Sequence, residues 1–166
     1  GDCDDTEATV NPAGIELCNG VDDDCDGVVD PSTSLDALTW YADGDVDTYG
    51  DPASPTQSCD LPSGFVADNT DCDDTSAAVY PGATEYCNGI DDDCDGVIDP
   101  TSAFDALTWY ADADGDLYGE AASTTLACSQ PAGYVADNTD CDDARADINP
   151  GATEVCDAAD EDEDCD

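Results

Sequence analysis

Residues 87–100 read CNGIDDDCDGVIDP, and residues 18–31 read CNGVDDDCDGVVDP. In the later stretch Asp91, Asp93 and Asp95 alternate, Gly96 follows and Asp99 completes the spacing DxDxDGxxD. Asp22, Asp24, Asp26, Gly27 and Asp30 repeat it in the earlier one. A hard divalent cation such as Ca²⁺ takes roughly six to eight oxygens. Acids at loop positions 1, 3, 5 and 9, a backbone carbonyl at 7 and Gly at 6 let a short loop wrap around it. Val28 and Val97 occupy position 7. Gly27 and Gly96 permit a turn that other residues resist.

Self-comparison extends this pair into a repeat. Asp2-Cys3-Asp4-Asp5 recurs as Asp71-Cys72-Asp73-Asp74 and as Asp140-Cys141-Asp142-Asp143, a period of 69 residues. Each period has two parts. Part A runs from DCDD through the aspartate loop, and part B runs from LTWYAD to GFVADNT or GYVADNT. The expected organisation is repeat 1 over 1–70 (A 1–34, B 35–70), repeat 2 over 71–139 (A 71–103, B 104–139), and a partial repeat 3, part A only, over 140–166. The expected fold class is mostly irregular with short β-strands, built as tandem calcium- and disulfide-stapled repeats forming an elongated A-B-A-B-A rod.

Part B carries a second acidic loop. Asp43, Asp45 and Asp47, then Tyr49 and Asp51, match Asp112, Asp114 and Asp116, then Tyr118 and Glu120. Positions 1, 3, 5, 7 and 9 are again filled, with Thr48 and Leu117 in place of the position-6 Gly. Glu16, Glu85 and Glu154 each stand two residues before a cysteine and are expected to add a ligand, replacing the Glu of an EF-hand loop. Asp71, Asp73, Asp140 and Asp142 of the DCDD openings join the candidate ligands. So do Asp160, Asp162 and Asp164 in the last copy, which has two extra residues.

Leu38–Tyr41 and Leu107–Tyr110 read as short strands, pairing antiparallel with segments around 64–67 and 133–136. Asp5 or Asp74 is expected to cap a single helical turn before Pro12 or Pro81. Trp40 and Trp109 are expected to pack. The core anchors are expected to include Val79, Ile90, Val97, Ile98, Phe104, Leu107, Trp109, Tyr110 and Val135. Units with so small a core need disulfides or metals.

The 44 acids face one base, Arg145, and the net charge is −43. Cations are expected to offset it. Even about ten Ca²⁺ ions would leave roughly 23 negative charges, which disfavours nucleic acid and anionic membranes as partners. The chain has no apolar run of membrane length, and its 11 cysteines point to disulfides in an oxidising space and to an exported protein whose signal has been removed. Proposed pairs are Cys18–Cys25, Cys87–Cys94 and Cys156–Cys165 around the loops, with Cys59–Cys72 and Cys128–Cys141 joining part B to the next part A. Cys3 is left over, marking a truncated array, a free thiol or a two-fold contact.

WYADADGDLYG, a following Cys, PAGYVADNTDCDD and YPGATEYCNGIDDDCDG together resemble the metal-binding repeat of the MopE type, common in large bacterial surface proteins. The loops alone are similar to those of dockerins and thrombospondin type 3 repeats. The resemblance implies a surface-attached or secreted bacterial array, and in the family's namesake it implies copper capture that uses histidines, of which this chain has none. The expected function is that of an extracellular structural protein binding several Ca²⁺ ions, the subunit of a calcium-stabilised fibre or a surface stalk, associating end to end. A surface metal-binding protein for copper or another cation, and a calcium-dependent adhesin module, are the alternatives. An enzyme with a small-molecule substrate is not expected, because no His or Lys is present to activate a nucleophile.

Overall fold

The LTWYA pentapeptide forms the centre of each sheet, because its β-branched and aromatic side chains suit a half-buried pleated strand. In the computed structural model, which describes residues 3–4, 6–155 and 162–165, β1 spans Leu38–Ala42, β2 Pro55–Ser58 and β3 Phe65–Val66. The second set is β4 Leu107–Ala111, β5 Glu120–Ala127 and β6 Tyr134–Val135. The sheet orders are β2-β1-β3 and β5-β4-β6, antiparallel throughout. Tyr41 pairs with Val66 and Tyr110 with Val135, as expected for the outer pair.

The intervening strands β2 and β5 were not foreseen. Pro55 disguises β2 as a linker, yet it opens an edge strand, where its missing N–H breaks no ladder. Trp40 and Trp109 help to close these hairpins, their indole N–H groups donating to Ser58 O and Ala127 O at 3.1 and 3.0 Å. The acidic loop of each part B is therefore the turn of a β-hairpin. No described residue is helical. The expected helical turn is replaced by consecutive tight turns, in which Val79 N donates to Ser76 O and Ser76 N to Asp73 O. Asp73, rather than Asp74, caps the segment, its Oδ1 accepting from the Thr75 N–H and hydroxyl at 3.3 and 2.6 Å. Such local bonds compete with a helix.

The chain divides into two compact units, Gly1–Ala83 with Asp92–Asp95, and Thr84–Asp91 with Gly96–Asp166. Their cores are small. Val10, Val79 and Ile148, one per part A at the repeat spacing, are buried with Ala103 and Val135. Of the other expected anchors, Ile90, Val97, Ile98, Phe104 and Leu107 are exposed, Phe104 at 77%. Trp109 and Tyr110 are half-buried. Aliphatic side chains in and around the acidic loops stay at the surface while Asp23 and Asp92 are buried, which reverses the usual preference.

Covalent links compensate. Cys3 pairs with Cys25, Cys18 with Cys59, Cys72 with Cys94, Cys87 with Cys128, and Cys141 with Cys165. None of the expected Cys18–Cys25, Cys87–Cys94, Cys59–Cys72 or Cys128–Cys141 pairs forms, and Cys3 is not left over. Cys165 pairs with Cys141 instead of Cys156, which lies outside the described residues. The reason is local. Cys25, Cys94 and Cys165 take left-handed φ values of 59°, 57° and 60°, and the opening of part A runs beside the loop, with Asn11 N donating to Asp23 O at 2.9 Å. Cys18 is held through its N–H by the Asp36 carboxylate at 2.7 Å, as Cys87 is by Asp105, and pairs with the residue that follows β2. Each repeat thus has a link of 22 residues inside part A and one of 41 residues from part A to part B.

Peptide mapping under non-reducing conditions should recover Cys18–Cys59 and Cys87–Cys128. Replacing Cys18 and Cys59 together by Ala should cost about 4 kcal/mol in denaturant melts, the loop entropy of a link that long.

Candidate metal centre

The loop of the first part A wraps as its spacing requires. Asp22 Oδ1 accepts from Asp26 N at 3.1 Å and Oδ2 from Gly27 N at 2.9 Å, Asp24 Oδ1 from Asp26 N at 3.1 Å, and Asp26 Oδ1 from Val28 N at 2.7 Å. Gly27 makes this possible at φ 95°. Glu16 reaches in from outside the loop, its Oε1 accepting from Asp24 N at 2.7 Å. Oxygens of Glu16, Asp22 and Asp24 lie within 4.8 Å of one another. Glu16 Oε2 is out of solvent with no hydrogen-bond partner. Asp30 does something else: its carboxylate accepts from the N–H groups of Asn19 and Gly20 at 2.9–3.1 Å, which fixes the entry turn.

In the second part A, Gly96 N donates to Asp91 Oδ2 at 2.8 Å and Asp95 N to Asp93 Oδ1 at 3.2 Å. Asp99 accepts from Asn88 and Gly89 N–H at 3.0 and 2.9 Å, as Asp30 does from its own pair. Glu85, the counterpart of Glu16, accepts from Phe104 N through its carbonyl at 2.7 Å, as Glu16 does from Leu35 N at 2.8 Å.

The third copy is shifted from the expected register. Asn149 N donates to Glu163 O at 3.0 Å, the contact that Asn11 makes with Asp23. The Cys141 sulfur approaches Asp162 O at 4.0 Å, as that of Cys3 approaches Asp22 O at 3.6 Å. Asp162 and Asp164 therefore take the places of Asp22 and Asp24, and the two extra residues fall between Cys156 and Asp162. Asp160 lies outside the described residues. Glu154 Oε2 accepts from Glu163 N at 3.2 Å. That bond lowers the Glu154 pKa, but desolvation and the charges of Glu163, Asp164 and Asp162 outweigh it and leave the group above its ordinary value.

The part B loops repeat the wrap without the glycine. Asp47 N donates to Asp43 Oδ1 and Asp45 Oδ1, each at 3.2 Å, Thr48 N to Asp43 Oδ2 at 3.3 Å and Tyr49 N to Asp47 Oδ1 at 2.8 Å. Asp112, Asp114 and Asp116 accept the same set, including Leu117 N and Tyr118 N. Thr48 and Leu117 take the Gly27 role at φ 84° and 81°. Oxygens of Asp43, Asp45 and Asp47 gather within 4.8 Å. The Tyr49 ring stacks on Tyr80 at 5.6 Å.

Four of the expected ligands have other surroundings. Asp51 caps the following turn, and bonds from the Ser54 hydroxyl and Ala53 N–H hold its carboxyl below its ordinary pKa. Glu120 is exposed in β5, paired with Ala111. Asp73 caps its own turn through Thr75, as described above. Asp142 bonds into the turn after it through its carbonyl, which accepts from Ala144 N and Arg145 N at 2.7 and 2.9 Å. Sequence reasoning missed Asp74 and Asp143, whose Oδ1 atoms accept from Gly44 N and Ala113 N at 2.6 and 2.7 Å. Their recurrence as the fourth residue of DCDD was the available signal.

The donor set is uniform in kind. There is no His, and the Cys72 and Cys94 sulfurs near Asp71 are locked in a disulfide. Arg145, the sole base, pairs with Asp147 at 3.1 Å. Only carboxylate and carbonyl oxygens are offered, which suits hard cations. No helix among the described residues is long and apolar enough to cross a membrane.

One family model matches residues 2–31, 71–100 and 140–166, more than half of the chain: Cu-binding_MopE, described as a putative metal-binding motif. Comparison with curated proteins and with solved structures returned no match.

Relief of the left-handed strain gives a direct check of the part B loops. Thr48→Gly and Leu117→Gly should each raise stability by about 1 kcal/mol in chemical melts, since a side chain at that φ costs on the order of 1–3 kcal/mol and the added chain entropy of Gly offsets part of the gain.

Proposed function

Because the chain belongs to the MopE-type family of metal-binding motifs, we propose that it is an extracellular calcium-binding structural protein whose repeats are held in shape by the ion. The observation that carries this reading is the convergence of Glu16, Asp22 and Asp24, with Glu16 Oε2 out of solvent and unpartnered. A buried carboxylate oxygen without a partner costs several kcal/mol, on the order of 1–3 or more for a charged group. These residues fit a hard divalent cation, and Glu16, Asp22 and Asp24 would hold it. The bound ion supplies the positive charge that the chain lacks.

The family description names copper, the second reading. Its soft or imidazole ligands are missing here, and ten of the cysteines are joined in disulfides; oxygen-only donors favour calcium, magnesium or manganese. Five disulfides fit an oxidising space, which supports placement on or outside a bacterial surface. The role is structural rather than catalytic. Repeats in one dimension give length with little core, and end-to-end association into a fibre or stalk follows from the same economy of material.

Isothermal titration with Ca²⁺, Mg²⁺ and Cu²⁺, paired with thermal melts, tests the ion. Calcium should bind and raise the melting temperature by roughly 10 °C or more, a chelator should reverse this, and Glu16→Gln should weaken one site about tenfold. Copper binding that calcium cannot displace would move the assignment to the second reading. For the assembly, electron microscopy in millimolar calcium should show filaments that disperse on chelation; discrete particles in both conditions would exclude a fibre.

A further inference from the structure

The hairpin turn of part B lies against the opening of the part A that follows it. Oxygens of Asp45, Asp71 and Asp74 come within 4.8 Å of one another, and Asp45 is shared with the Asp43–Asp45–Asp47 group. Asp71 is only 3% exposed. Its Oδ2, with those of Asp45 and Asp47, is out of solvent and has no hydrogen-bond partner.

The backbone explains the orientation. On each carboxylate one oxygen is held by a main-chain N–H: Asp45 Oδ1 by Asp47, Asp47 Oδ1 by Tyr49, Asp71 Oδ1 by Asp73 at 2.9 Å, and Asp74 Oδ1 by Gly44. With those oxygens fixed, the remaining ones are left without donors. The Asp71 N–H is itself tied to Gly50 O at 3.3 Å, which anchors the two segments side by side.

The second unit repeats the arrangement. Asp140, 9% exposed, has an unpartnered, solvent-shielded Oδ2, as do Asp114 and Asp116. Asp140 N donates to Gly119 O at 3.2 Å, and Asp143 accepts from Ala113 N. Against these acids the chain sets a single basic side chain, Arg145, which pairs with Asp147. Buried like charges of this kind persist when an ion joins them.

We propose that Asp43, Asp45, Asp47, Asp71 and Asp74, and equally Asp112, Asp114, Asp116, Asp140 and Asp143, form a second class of hard-cation site that clips each β-hairpin to the part A following it. Asp43, Asp45 and Asp47, and their counterparts, lie outside the residues matched by the family model. The ligands are carboxylates from two segments, so the ion acts as a cross-link at the repeat junction, of the size and coordination number that suit Ca²⁺. The proposal rests on the metal-binding reading above and adds to it where the ion sits and what it joins.

The full-length chain tests it. Bound calcium per chain is counted by native mass spectrometry for wild type, Asp71→Asn/Asp140→Asn, and Asp74→Asn/Asp143→Asn, which keep an acceptor oxygen for the backbone N–H. Asp60→Asn, at an exposed position, controls for charge. The first double variant should lose two calcium ions, and the second should bind them at least tenfold more weakly. Melting temperature should change in opposite directions for the first double variant, higher than wild type in chelator because repulsion is removed, lower in calcium because the cross-link is lost. A purely structural role for these acids would lower it in both. Calcium bound to wild type and retained in full by both double variants overturns the junction site alone. A wild-type chain that takes up no calcium overturns the broader reading and this site with it.

Discussion

Uncompensated negative charge is the constraint on which this structure depends. With 44 acids and one base, the chain has no internal way to balance carboxylates that its own loops draw together. Backbone N–H groups do half of the work, donating to an oxygen of nearly every loop aspartate in an Asx-type turn. They orient the carboxylates but leave charge in place. Glu16, Asp45, Asp47, Asp71, Asp114, Asp116 and Asp140 each retain a shielded oxygen with no partner, and the side chains that would ordinarily answer them, Lys and His, do not occur.

The same loops determine what the core can be. Val28, Val97 and Leu117, which belong to the acidic loops, are exposed, whereas Asp23 and Asp92 in the same loops are buried. What remains among the described residues is Val10, Val79 or Ile148 in each part A, with Ala103, Val135 and the half-buried sheets. A Val or Ile buried in this way contributes about 1.5–3 kcal/mol, far less than the chain entropy of ordering a repeat. Cross-links take over. The link inside part A pins the acidic loop to the DCDD opening, and the link from part A to part B pins the loop entry to the hairpin. Neither closes the short aspartate loop on itself, which leaves that loop free to be shaped by its own hydrogen bonds.

Thr48 and Leu117 illustrate how far the loop geometry dominates over local preference. A β-branched residue at φ 84° is disfavoured, yet the part B loop adopts the same pattern of N–H to carboxylate bonds as the part A loop with its glycine. The set of bonds around Asp43 and Asp112 outweighs the strain at one residue. Asp30 and Asp99 show the converse, since matching the position-9 spacing does not make them part of the cluster when nearby N–H groups at residues 19–20 and 88–89 claim them first.

The repeat, the acidic loops, the central strands, the antiparallel pairing of β1 with β3 and of β4 with β6, and the presence of disulfides were legible in the sequence, because each follows from local spacing or composition. Period-2 acids, a recurring Cys and an LTWYA pentapeptide carry their meaning within a dozen residues. Other features depended on which distant segments lie side by side. Cysteine pairing was one, since proximity along the chain favours Cys18–Cys25 while the path of the part A opening brings Cys3 to Cys25. The register of the last loop was another, decided by where two extra residues are absorbed. The roles of Asp71 and Asp74 over Asp73 were the third: three acids in four residues are indistinguishable by composition, and only the approach of the hairpin turn selects the two that face it.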